Sequence, residues 1–126
     1  KYVGKNRMDY IVEVESEEIV KALNPDYELL KRLDARGVMV TSISNADGID
    51  FVSRFFAPAY GIPEDPVTGS AHCCLGPYWK RRLNKNELTA FQASERGGFL
   101  KVRVEKDRVF ISGKAVTVFC AELKES

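Results

Sequence analysis

An α+β fold, with mostly antiparallel β-strands around one apolar helix, is what this chain of 126 residues predicts. Three observations carry that expectation. Period-two segments rich in Val, Ile, Phe and Thr recur along the chain. One stretch, "SAHCCLGPYW", is apolar nearly all round, as a helix enclosed by other elements is. After that helix come four strand-like segments joined by short turns.

In chain order, "MDYIVEVE" (8–15) alternates Tyr10, Val12 and Val14 against Ile11, Glu13 and Glu15, which reads as a strand with one wetter face. "SEEIVKAL" (16–23) opens on Ser16 with acids directly behind it, the signature of a capped helix start. "NPDYELLKRLD" (24–34) has Pro25 where a first helical turn is expected, and Gly37 closes the region. "VMVTSIS" (38–44) and "IDFVSRFFAP" (49–58) are strands separated by the turn "NADG". A helix is expected over Ser70 to about Leu83, with a kink or break at Gly76 and Pro77, because Pro77 has no N–H to donate and crowds the turn before it. "LTAFQAS" (88–94), a turn region "ERGGFL" (95–100), "KVRVEKDRVFISG" (101–113) and "KAVTVFCAEL" (114–123) complete the strands, with turns at "EKD" and "SGK". No internal repeat and no low-complexity segment interrupts this order.

The length suits one domain, able to bury about two thirds of the surface of its unfolded chain. With 44% hydrophobic and 29% charged residues and a net charge of +1, the composition argues against a disordered tail and against a strongly basic nucleic-acid binder. A small neutral ligand or an anion is the easier partner. Three cysteines, two of them adjacent, form no paired framework, and no long apolar run is present, so the chain reads as a cytoplasmic protein with no membrane contact. It begins at Lys1 rather than Met, with a strand almost at once, and is expected to lie inside a longer polypeptide.

The chemistry concentrates in "GIPEDPVTGSAHCCLGPYW" (61–79). Pro66 pushes Asp65 toward an extended backbone, and Gly69 permits a sharp approach into the helix, so the carboxylate is held at a stiff strand-turn-helix junction. A general acid/base there competes with an ordinary turn or capping aspartate. Thr68, Gly69, Ser70 and Ala71 sit where a helix begins, and its first N–H groups attract anions or developing negative charge. Capping by Thr68 or Ser70 is compatible with that role, because one hydroxyl cannot satisfy every donor. No Lys follows the glycine, so this is not a phosphate loop.

His72, Cys73 and Cys74 point about 100° apart on a helix and cannot converge on one metal ion, nor face one another as a nucleophile and base. Both cysteines are expected in the core, and His72 is expected to be structural, though two residues past Ser70 it stands within reach of a pocket. The basic run "WKRRLNK" (79–85) suits a helix C-terminus. In "QASERGG" (92–98), Arg96 is placed either to reach a carboxylate or to pair with Glu95.

The stretch "EDPVTGSAHCCLGPYW" resembles the signature of the PhzF-like (phenazine biosynthesis-like) family, whose fold is shared with diaminopimelate epimerase. "NPDYELLKRLDARGVMVTS", "DFVSRFFAPAYGIPEDPVTGSAH", "QASERGG" and "SGKAVTVFCAEL" resemble the C-terminal half of that family in family order, and together they span nearly the whole chain. The resemblance implies a lobe of β-strands wrapped around the Ser70 helix, residues 1–126 forming a single lobe of a two-lobe protein with the active site between the lobes. It implies a cofactor-independent isomerase or epimerase-like enzyme moving a proton on a small carboxylate-bearing substrate. The loop aspartate of the family maps onto Asp65 as the catalytic residue, and the Gly-Ser pair maps onto Gly69 and Ser70, with Ala71 beside them in substrate binding. The family's main catalytic glutamate and a site histidine lie in the N-terminal lobe, outside this sequence, and His72 does not replace the latter. Where related epimerases carry a thiol, this loop carries Asp65, which argues against racemisation by two cysteines. No metal and no cofactor are expected; the expected partners are the N-terminal lobe of the same protein and a second copy in a homodimer. A non-catalytic interaction module on the same fold, or a cleft built between two identical lobes, remain the alternatives.

Overall fold

The computed structural model describes residues 1–125. Its described residues build one mixed sheet of eight strands with helices on both faces. The strands are β1 (Tyr2–Lys5), β2 (Asp9–Glu13), β3 (Gly37–Ile43), β4 (Phe51–Ala57), β5 (Ile62–Asp65), β6 (Glu87–Gln92), β7 (Gly98–Glu105) and β8 (Arg108–Ser112). The spatial order is β1-β2-β3-β4-β6-β7-β8, with β5 pairing β4 off that path. β2 with β3 and β4 with β6 are parallel, and the other pairs are antiparallel. The α+β class and the antiparallel bias are therefore as expected.

Why "VMVTSIS" and "FVSRFF" are apolar without clean alternation is explained by burial on both faces. On one face Met39, Phe51, Phe55, Leu88, Ala90, Leu100 and Val102 pack against Leu75 and Trp79 of α3 (Gly69–Leu83). On the other, Val38, Val40, Val52 and Phe56 pack against Val20 of α1 (Glu17–Ala22) and Leu30 of α2 (Tyr27–Leu30). Ser16 caps α1 as its position predicts, accepting from the Ile19 N–H at 3.3 Å. The cap of α2 is Asp26, which accepts from the Leu29 N–H at 3.0 Å, so Pro25 lies before the helix rather than inside its first turn.

α3 runs unbroken through Gly76 and Pro77, so of the expected kink or break the break does not occur. Gly76 is required by proximity: a Cβ there would lie 2.8 Å from Val102 Cγ1 and 3.2 Å from Val104 Cγ2. The helix is also not enclosed all round. Ala71, His72, Leu75, Gly76 and Trp79 form its buried stripe, while Ser70, Cys73 and Arg81 are exposed on the opposite side. Cys73 is accordingly not a core residue; Cys74 is half-buried against the core, as expected of it.

Two further expectations are corrected. Phe99 and Leu100 belong to β7 rather than to the turn before it. "KAVTVFCAEL" (114–123) has no strand partner among the described residues and is exposed throughout. A strand exists only as part of a ladder, and nothing here supplies the second rail.

A row of buried polar residues crosses the α3 face at one level of the sheet: Glu13 beside Thr41, Thr41 beside Ser53, Ser53 beside Gln92. Glu13 accepts from the Tyr78 hydroxyl at 2.5 Å and pairs with Arg82 at 2.9 Å. Burial, and then the bond to Glu13, push the Tyr78 pKa up, with Arg82 opposing. Thr41 accepts from the Trp79 indole N–H at 3.0 Å. Gln92, at the end of the row, reaches the loop where α3 begins.

Candidate functional site

The loop Asp65–Thr68 joins β5 to α3, and its position is set by contacts far away in sequence. β5 is anchored by Glu64, which takes a two-pronged bond from Arg54 at 2.7 and 2.9 Å. The same guanidinium donates to the Leu23 carbonyl at 2.7 Å, tying β5 to the end of α1. Adjacent strand residues face opposite ways, so fixing Glu64 on one side aims Asp65 to the other.

Gln92 is fully buried and clamps the loop with its whole carboxamide. Its Oε1 accepts from the Thr68 N–H at 2.8 Å, and its Nε2 donates to the Asp65 carbonyl at 2.8 Å and to Thr68 Oγ1 at 3.0 Å. The Thr68 hydroxyl in turn donates to Asp65 Oδ2 at 2.5 Å. One carboxylate oxygen is thereby oriented, while Oδ1 has no hydrogen bond among the described residues. From the same β6–β7 turn, Ser94 Oγ donates to the Pro66 carbonyl at 2.7 Å and accepts from the Gly97 N–H at 3.0 Å. "QASERGG" thus acts on the loop through Gln92 and Ser94. Arg96 is exposed, and among the described residues it makes no ion pair, with Glu95 or any other acid.

Thr68 is the N-cap of α3, but its hydroxyl makes no cap bond because Asp65 and Gln92 occupy it. Among the described residues nothing accepts from the N–H groups of Gly69, Ser70 or Ala71; the first bond of the helix is His72 N–H to the Thr68 carbonyl. Gly69 has ordinary backbone geometry and nothing within 4 Å of where a Cβ would stand. Its bare Cα leaves the helix start open, which replaces the expected role in a sharp approach. The three residues expected to bind substrate therefore form one crown of unpartnered donors, directly after the loop that carries Asp65.

His72 is turned away from this crown. Nδ1–H donates to the Thr68 carbonyl at 2.7 Å, the ring lies against Phe51, and burial pushes its pKa down. Its Nε2 and Ser53 Oγ are the buried side-chain atoms left without a partner among the described residues. At the start of β2, Asp9 is buried in a two-pronged pair with Arg36 at 2.9 and 2.5 Å. The bond to Asp9 raises the Arg36 pKa, against the burial that lowers it.

Hollows of about 370 Å³ beside Glu64, Pro66 and Arg96, and of about 420 Å³ beside Arg7, Ser70 and Cys73, flank the loop. Neither encloses Asp65, so these residues form a wall rather than a closed pocket. No cluster of three metal-ligating side chains occurs among the described residues, and no described helix is long and apolar enough to cross a membrane.

Gln92 and Ser94 were not foreseen as parts of the site. Gln92 is a polar residue at a position where "LTAFQ" places its buried face, and that mismatch is the signal that singles it out.

The protein-family model described as "Phenazine biosynthesis-like protein" matches residues 3–121. An uncharacterized isomerase of Halalkalibacterium halodurans is 59% identical over 122 residues, covering 97% of this chain and 46% of its own length. An uncharacterized isomerase of Pseudomonas aeruginosa is 57% identical over 118 residues, covering 92% of this chain and 44% of its own length. A PhzC/PhzF phenazine biosynthesis protein from Clostridium difficile superposes with a TM-score of 0.84 at 42% identity, covering 97% of this chain and 46% of that one. A PhzF-family protein from Enterococcus faecalis gives 0.79 at 49% identity, over 83% of this chain and 40% of that one. The chain spans about half the length of the relatives it matches.

Proposed function

The chain belongs to the phenazine biosynthesis-like protein family, and from that premise we propose that it is the C-terminal lobe of a two-lobe, cofactor-independent isomerase that moves a proton on a small carboxylate-bearing substrate. The observation that carries the reading is the pairing of an oriented carboxylate, Asp65, with a helix start whose N–H groups at Gly69, Ser70 and Ala71 have no acceptor among the described residues. The names of the relatives support an isomerase, and their length supports a partner lobe covering the open side of this wall.

In this mechanism the substrate carboxylate, or the enolate that develops as a proton leaves, lies against the donor crown. Donors fixed by the fold need no rearrangement as charge grows, which is where such groups contribute most to rate. Asp65 Oδ1 takes or returns the proton, while Oδ2 stays held by Thr68. A glutamate of the other lobe acts on the substrate from the opposite side.

Proton transfer at carbon leaves an isotopic trace. The two-lobe protein, incubated in D2O with a panel of small unsaturated and amino carboxylic acids, is expected to incorporate deuterium at one carbon of its substrate, read by NMR. Turnover of a substrate with no solvent deuterium in either substrate or product would refute proton exchange with an open site.

A further inference from the structure

The Thr68 carbonyl is the first acceptor of α3, and both of its donors come from His72. The backbone N–H of His72, which makes the ordinary helical bond, stands 3.4 Å away, long for a bond of its kind. The imidazole Nδ1 stands at 2.7 Å, so the ring rather than the backbone makes the short contact. A carbonyl oxygen only accepts, and burial favours the neutral ring, so its single proton is on Nδ1.

As core filling the imidazole is a poor choice. It is fully buried with its ring centre 5.9 Å from that of Phe51, and its Nε2 has no partner among the described residues. An apolar ring would pack there without burying that nitrogen. What the imidazole adds is the bond to Thr68, and one rigid unit carries that bond to the candidate site. The Thr68 carbonyl and the Gly69 N–H share a trans peptide plane and point opposite ways. Holding the carbonyl toward His72 therefore aims the Gly69 N–H out of the helix start, where it has no acceptor among the described residues. Hydrogen bonds in series polarise one another, so a donor on the carbonyl also makes the Gly69 N–H a stronger donor. Gln92 holds Thr68 by its N–H and hydroxyl and leaves the carbonyl to His72.

We propose that His72 is a positioning residue for anion binding: through the Thr68–Gly69 peptide it aims and strengthens the Gly69 N–H, the first donor that the crown offers to a carboxylate. The inference rests on the donor-crown reading above. Buried behind the helix start, His72 itself meets no substrate.

Two variants of the two-lobe protein separate this role from packing. His72→Phe keeps an aromatic ring against Phe51 and removes the donor. His72→Asn gives up the ring and offers a side-chain N–H in place of Nδ1. With benzoate as the probe, titrated by NMR at the Gly69 amide, His72→Phe is expected to bind about three- to tenfold more weakly than wild type and His72→Asn within about twofold of it, although thermal unfolding ranks His72→Asn the less stable. Benzoate affinities that follow thermal stability, or equal affinity in His72→Phe and wild type, overturn the positioning role. The wild-type ring gives an answer that needs no folded variant: nitrogen NMR is expected to find the His72 proton on Nδ1. A proton on Nε2 would leave the Thr68 carbonyl without its ring donor and overturn the proposal. Benzoate that moves none of the Gly69, Ser70 and Ala71 amides of the wild type would remove the crown as an anion site, a failure of the underlying reading with which the proposal falls.

Discussion

The Gln92 carboxamide donates to the Asp65 carbonyl at 2.8 Å across 27 positions of sequence, and so fixes the backbone of the residue whose side chain faces the open side of the fold. The same amide accepts from the Thr68 N–H, so one buried side chain holds both ends of the loop. Gln92→Leu keeps the volume and leaves that N–H and carbonyl buried without partners. A loss of about 1 to 3 kcal/mol in urea unfolding is expected, with faster exchange of the Thr68 amide. Gln92→Glu retains an acceptor for Thr68 but sets a buried carboxylate against the Asp65 carbonyl, and is expected to be at least as destabilised as Gln92→Leu at neutral pH. Equal stability of all three would show that the clamp contributes nothing.

Gly76→Ala sets two effects against each other. Alanine favours the helix by about 1 kcal/mol over glycine. The new methyl group, however, would meet Val102 Cγ1 at 2.8 Å, and Val102 is a stiff, buried strand residue. Overpacking of this kind costs about 1 to 3 kcal/mol, so a net destabilisation is expected in thermal or denaturant unfolding. A stabilised variant would mean that β7 yields easily.

His72 is the only histidine, which makes its titration readable in the whole protein. Burial depresses its folded pKa below the ordinary 6.5, so the folded state holds the neutral ring while the unfolded chain gains a proton first. Stability is therefore full above about pH 6.5 and declines as pH falls below it. His72→Gln is expected to flatten the slope of unfolding free energy between about pH 7 and 5. An unchanged slope would assign that dependence elsewhere.

Glu17 behaves oppositely in partner but alike in sign. Bonds from Lys21, Ser44 and the Asn45 N–H hold its carboxyl at about 2, below the ordinary 4.5. Its contribution is present above pH 4.5 and is lost as pH falls toward 2. Glu17→Gln is expected to cost about 1 to 3 kcal/mol at neutral pH, with the gap to wild type closing as acid is added. A gap that persists at low pH would point to packing rather than charge.

Local patterns carried much of this fold. Ser16 before two acids, the apolar runs at 38–44 and 49–58, and the Asp65-Pro66 junction each declare their structure within a few residues. What escaped depends on distant partners. Gln92 becomes a clamp only because β6 lies beside β4 and brings it to Thr68, 24 positions earlier. Cys73 was expected in the core from its residue type, yet the sheet covers only one stripe of α3. The segment 114–123 has every local mark of a strand and lacks only a neighbour, which no local pattern can report.

The most direct test of the central claim is turnover by Asp65→Asn in the two-lobe protein, followed as solvent deuterium entering the substrate. The substitution keeps size and a hydrogen-bonding oxygen for Thr68 but removes the group that accepts a proton. The account predicts turnover at least about a hundredfold slower, with unchanged unfolding and unchanged substrate binding at the Gly69–Ala71 crown. Turnover within a few-fold of wild type would contradict it and remove Asp65 from the reaction.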